Sequence, residues 1–124
     1  MMVKLVFCCR RLPHLSREEF QRYWRETHGP LVRSQAGALR IRRYVQSHTL
    51  DHPINAALAG ARGAPEEFDG VAEVWWDNLD DVLAATTTSE GRAAGHVLFE
   101  DERHFIDHAH SPLWLSEERP MVEP

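Results

Sequence analysis

The chain has 124 residues and a net charge of −5, with 43% hydrophobic against 27% charged residues, the profile of one globular domain over residues 1–124 and too short for two cores. The acidic balance disfavours a nucleic-acid partner, which needs a basic face. No run of about 18 apolar residues is available to span a membrane.

Met1 to Cys9 is too short for a signal peptide and runs straight into Arg10-Arg11. Val3–Cys9, rich in β-branched and aromatic side chains, reads as the first strand. Cys8 and Cys9 would point to opposite faces of it, too poorly placed to bridge, as packed thiols of a reducing cytoplasm. A helix follows with a strong start: Ser16 as N-cap, Glu19 completing a capping box, and Leu15 stapled onto Phe20. It is expected to run to about Gly37, with an end or kink at His28-Gly29 because of Pro30. Arg40–Thr49 reads as a second strand with mixed polarity on both faces, and its Arg40, Arg42 and Arg43 as a solvated edge or an anion contact. Residues 51–67 read as a long connection. Asp69–Asp77 is the third strand, opening on an Asp-Gly turn signal; within it Glu73 needs a partner, an arginine in the first instance. A second helix begins near Asn78 with Leu79, Val82 and Leu83 inward, breaks at Thr86–Ser89, and resumes under a Ser89 cap to about Phe105. Leu113–Leu115 closes the chain as a last strand. The order βαββαβ predicts an α+β, ferredoxin-like fold with a four-stranded antiparallel sheet, whose open face a second copy would cover.

Two constellations carry possible chemistry. On a helix Phe20, Trp24 and His28 fall at i, i+4 and i+8, so an aromatic stripe leads to one imidazole beside the expected kink. Such a histidine is either a buried residue bonded to a backbone carbonyl or a proton-transfer group at a pocket mouth. Burial would favour its neutral form and a helix C-terminus its cation. The second constellation is His104, Asp107, His108 and His110, in which His104 and His108 would share a helix face as zinc ligands do, but without the usual glutamate. The bland alternative there is a polar turn, and no metal site is assigned.

Phe20-x-x-Tyr23-Trp24-x-x-x-His28-x-Pro30, Asp69-Gly70-Val71-Ala72-Glu73-Val74-Trp75-Trp76, Phe105-x-Asp107 and Glu118 together resemble the EthD-domain family, of the dimeric α+β barrel superfamily. The resemblance covers roughly Val3 to Val122. It implies a homodimer with a shared barrel and a pocket in each protomer between sheet and helices. Its superfamily holds cyclases, isomerases, cofactor-free monooxygenases and haem enzymes, so fold alone does not choose a reaction. The expectation is a cofactor-independent lyase, isomerase or cyclase moving a proton on an aromatic, polyketide-like or lactone substrate. His28 would be the acid/base; Phe20, Tyr23, Trp24, Tyr44, His48 and Trp76 would contact substrate. The alternatives are a monooxygenase, a haem protein with a histidine ligand, and a non-catalytic small-molecule binding or accessory protein.

Overall fold

The computed structural model describes residues 2–124. Strand β1 (Val3–Cys9) leads into α1 (Arg17–Tyr23), a π-helical turn (Trp24–His28) and α2 (Gly29–Gln35). Strand β2 (Arg43–His48), a short helix α3 (Ile54–Gly60) and β3 (Gly70–Trp76) come next. Helices α4 (Leu79–Thr87) and α5 (Ser89–Glu102), a 3-10 turn (His108–His110) and β4 (Leu113–Ser116) complete the chain. The sheet order is β2-β3-β1-β4 with every neighbour antiparallel, which is the ferredoxin-like arrangement expected from the sequence. Among the described residues no helix is long and apolar enough to cross a membrane.

The capping box is present as read: the Ser16 hydroxyl accepts from the Glu19 amide at 3.0 Å while Glu19 accepts from the Ser16 amide at 2.9 Å. The helical run reaches Gln35, close to the expected Gly37, and its irregularity before Pro30 takes the form of a π-turn. The helix neither stops nor breaks at His28-Gly29; it absorbs Pro30 by widening one turn, so that the Gly29 amide donates to the Trp24 carbonyl five residues back. Gln46 of β2 fastens the widened turn by donating its Nε2–H to that same carbonyl at 2.8 Å. His28 therefore sits inside a continuing helix, and the expected C-terminal helix dipole is not at its side.

Four other expectations are corrected. The 51–67 connection contains α3. The cap of α5 is Thr88, whose hydroxyl accepts from the Gly91 amide at 3.1 Å, and the helix stops at Glu102, short of Phe105. Leu79 and Leu83 are half exposed, because Ala85 is the residue that α4 buries. Glu73 pairs with Lys4 at 2.7 Å, not with an arginine; the arginine on the same sheet face, Arg43, lies over the Trp75 ring.

The Asp69-Gly70 pair is structural. Asp69, with no exposed surface, accepts from the Arg11 amide at 2.8 Å, the Arg11 guanidinium at 2.5 Å and Arg17 Nε at 3.0 Å. Burial opposes its charge, but these donors outweigh it and hold its carboxyl below the ordinary range. Gly70 leaves room for Trp24: a Cβ there would overlap the indole ring.

The helix-facing side of the sheet carries a core in two parts. One cluster joins Phe7, Cys9, Phe20, Trp24, Ala72, Phe105 and Ile106; the other joins Leu39, Ala85 and Ala94. Protein interiors are normally packed without voids larger than a water molecule. Here the two clusters stand apart, and the gap between them is the molecule's apolar cavity.

Candidate functional site

The cavity encloses about 210 Å³ between the sheet and helices α2 and α5. Its walls are mostly aliphatic and aromatic side chains, among them Trp24, Val74 and Trp76, and three titratable side chains other than cysteine reach it: His28, Tyr44 and Glu102. Gly95 of α5 also borders it, and a Cβ there would meet nothing within 4 Å, so the helix is thinned where it faces the space.

His28 is 4% exposed and its Nδ1–H donates to Asp101 Oδ2 at 2.7 Å. The Tyr23 hydroxyl donates to the other oxygen, Oδ1, at 2.6 Å. Burial works against the Asp101 charge, yet the donors Tyr23 and His28 more than offset it and hold its carboxyl below the usual range. Burial, then the adjacent Asp101, pushes the Tyr23 phenol up to about 12, so Tyr23 stays a donor. An ionised carboxylate on Nδ1 fixes the imidazole tautomer and leaves Nε2 as the basic nitrogen. Among the described residues Nε2 has no hydrogen-bond partner, and His28 is one of the side chains that border the cavity. The ring is held from the side by Phe105, whose centroid lies 5.0 Å away.

Glu102 follows Asp101 directly but turns into the cavity wall. Its Oε1 lies 2.9 Å from His108 Nε2, and the His108 ring is itself stacked on Phe99 at 4.8 Å. Burial dominates and raises its carboxyl above the ordinary range despite that donor. The Cys9 thiol also borders the cavity, but burial pushes its pKa far up, so it is a packing residue and not a nucleophile.

Of the side chains expected to contact substrate, Trp24, Tyr44 and Trp76 border the cavity. Phe20, Tyr23 and His48 do not. Phe20 is wholly buried behind Trp24, at 5.5 Å between centroids, because the widened turn brings Trp24 and His28 to the cavity and leaves Phe20 in the core behind them. Tyr23 serves Asp101 from the far side. His48 stacks on Trp24 at 4.6 Å and its Nε2 meets Gln46 Oε1 at 2.8 Å, so that edge is already used. Gln46 in turn donates to the Tyr44 hydroxyl at 2.9 Å, which leaves the phenol proton free for the cavity. Burial pushes that phenol up to about 12. Trp76 is oriented by its indole N–H, which donates to the Leu39 carbonyl at 2.7 Å.

The three clustered histidines do not converge. His104 turns to Asp101 at 3.5 Å, His108 to Glu102 at 2.9 Å and His110 to Asp107 at 2.8 Å, because α5 ends before the helix face they would share. No group of three or more potential ligands that could hold a metal ion occurs among the described residues.

Asp101 and Glu102 were not visible as site residues in the sequence. They stand in a run of acidic residues, Glu100-Asp101-Glu102, at the end of a polar helix, where carboxylates are ordinarily solvated. The one usable signal is the register: the nearby Leu98, Phe105 and Ile106 turn that end of α5 towards the core.

Solved structures similar to this one include an ethyl tert-butyl ether degradation (EthD) family protein from Bacillus halodurans, at 24% identity and TM-score 0.63, covering 96% of this chain and 100% of that one. An EthD-like protein from Ralstonia eutropha matches at 18% identity and TM-score 0.62 over 94% of this chain and 90% of its own. A cofactor-independent oxygenase from Streptomyces nogalater matches at 13% identity and TM-score 0.54 over 99% and 98%. At these identities the likeness is one of fold. No curated protein matches the chain. The EthD domain family model matches residues 12–109, most of the length, and the chain belongs to the EthD-domain family.

Proposed function

We propose that the protein is a cofactor-independent enzyme of the lyase, isomerase or cyclase type that moves a proton next to a carbonyl on a small, largely apolar ring compound. The observation that carries this reading is the Asp101–His28 pair: Nδ1 is held at 2.7 Å on a side chain that borders the apolar cavity, and Nε2 has no hydrogen-bond partner among the described residues. His28 Nε2 takes the proton from the carbon beside the carbonyl, and the electron pair moves to the oxygen. Asp101 holds the imidazolium so formed. Glu102, protonated more readily than an ordinary glutamate, gives its proton to the oxygen, yielding a neutral enol and a carboxylate. Return of the His28 proton to a different carbon, with the enol O–H proton passing back to the Glu102 carboxylate, completes an isomerisation; delivery of the His28 proton to a departing hydroxyl, with the same return to Glu102, releases water and completes a dehydration. Trp24, Tyr44 and Trp76 would contact the ring, with the Tyr44 hydroxyl as a further donor.

Deuterium exchange tests this directly. Aryl ketones and lactones incubated with the protein in heavy water should gain deuterium beside the carbonyl. His28→Ala should slow this by about 100-fold or more, and Asp101→Asn should slow it while tryptophan fluorescence still reports binding. Binding without exchange in the wild type would sink the enzyme reading and favour a carrier or accessory role. The fold shared with the Streptomyces nogalater oxygenase supports one other reading, in which the deprotonated ring reacts with dioxygen; oxygen uptake in the same assay would identify it.

We also propose that the protein is a homodimer. The sheet face away from the helices presents Val6, Val45, Val71 and Trp114, and two neighbours, from Bacteroides fragilis and Thermobifida fusca, are described as dimeric ferredoxin-like proteins.

A further inference from the structure

The apolar cavity does not close at Tyr44. Val32, Ile41 and Tyr44 border it and also border a second hollow of about 390 Å³, between α2 and the start of β2. The rest of that hollow is lined by Arg25, Arg33, Arg42 and Arg43, with no acidic residue among its walls. We infer that this groove holds the charged end of the substrate, which is a ring-bearing organic anion with its ring in the cavity and a carboxylate among the arginines. The inference deepens the proposed function and rests on the cavity being the ligand site.

Size is the first reason. Ligand sites usually enclose about 300–1,000 Å³. The cavity, at about 210 Å³, is below that range and becomes ordinary only if the hollow beyond Tyr44 belongs to the same site. Charge is the second. The chain is acidic, at −5, and would repel an anion from most of its surface, yet four guanidinium groups line this one hollow. A cleft lined by one sign of charge concentrates ligands of the opposite sign. Partnering is the third. Arg33 has no carboxylate partner among the described residues. Arg25 and Arg42 reach Glu26 and Asp77 only at 3.5 Å, in pairs more than half exposed, and such pairs hold their members weakly. Arg43 lies over the Trp75 ring at 4.5 Å instead of pairing. By contrast Arg40, expected to join Arg42 and Arg43, is withdrawn to Asp81 at 2.9 Å and does not line the hollow. Planar guanidinium forks match carboxylate geometry, which lysines would not do.

A matched pair of probes tests the inference. 2-Naphthoate and the neutral ketone 2-acetylnaphthalene have the same ring body and differ in charge. Titrated into the intact protein at low salt, with tryptophan fluorescence as readout, naphthoate should bind roughly tenfold more tightly, a preference that added salt screens. In an Arg33→Gln/Arg42→Gln variant the preference should fall to about twofold or less, while the ketone's affinity stays unchanged and reports an intact cavity. His28→Ala should keep the preference. Equal binding of the two probes, or an unchanged preference in the arginine variant, would overturn the anion groove and leave the cavity reading standing. Binding of neither would overturn both.

Discussion

Asp101 and Glu102 are consecutive, yet their carboxyls are driven in opposite directions. Asp101 is surrounded by donors and held ionised; Glu102 faces an apolar wall with one donor and is held towards its neutral form. Because folding raises the Glu102 value, its contribution to stability is fully present below the unfolded-chain value, about 4.3, and is lost as pH rises through the folded value. Glu102→Gln, which is neutral throughout, escapes that loss. The variant should therefore match or exceed wild-type stability at neutral pH and lose its advantage in acid, while proton exchange falls by about 100-fold. Thermal unfolding across pH, read beside the exchange assay, checks both halves; a variant destabilised at neutral pH would show that Glu102 is a structural anchor for His108. The sequence exposed His28 because a helical aromatic stripe points to it. Its partners stayed hidden because they arrive from residues 101 and 102, more than 70 positions away, in a run that reads as solvent-facing.

At the scale of elements, the strands and the first helix were legible because their signals are local: β-branched runs, a capping box and an Asp-Gly step. The widened turn at Trp24–His28 was not, because it depends on Gln46 from another element bonding the Trp24 carbonyl. Nor did the sequence tell the work of Gly70, which reads as a turn residue but acts as space for the Trp24 indole. Replacing a strand glycine by alanine usually stabilises by under about 1 kcal/mol through chain entropy. At Gly70 the added Cβ would overlap the indole and stand 2.9 Å from the Ser47 carbonyl, and the latter is backbone that cannot swing aside. Gly70→Ala should therefore lose about 1–3 kcal/mol in urea unfolding, the usual range for overpacking. Gly37→Ala, where nothing lies within 4 Å, is the control and should be neutral or slightly stabilising. A stable Gly70→Ala protein with an undisturbed cavity would refute the packing role assigned to this residue.

At the scale of the whole molecule, the sheet has one face covered by helices and one by very little. At one end of the open face Trp75 is covered: its indole N–H donates to Glu118 of the C-terminal tail at 2.5 Å, and Lys4 of β1 and Arg43 of β2 lie over the ring at 5.4 and 4.5 Å. Beyond that end Val6, Val45, Val71 and Trp114 remain, with Trp114 half exposed. Apolar side chains gathered on one face of a sheet are the usual mark of a partner surface, and a twofold pairing of identical faces buries them without leaving an edge open to further growth. The protein should sediment at twice its 14.3 kDa protomer mass. Val6 stands directly opposite Glu73 on β3 and Trp114 on β4, at the middle of the face. Val6→Lys is tolerated within a protomer, because the new ammonium meets Glu73, but it places a cation where two identical faces meet. It should shift the sedimenting species to the protomer mass while circular dichroism stays that of the wild type. A wild-type protein that sediments as a protomer at every concentration would remove the dimer. A Val6→Lys variant that stays dimeric would move the interface off this face, to the half-exposed Leu79 and Leu83 of α4 as the next apolar surface.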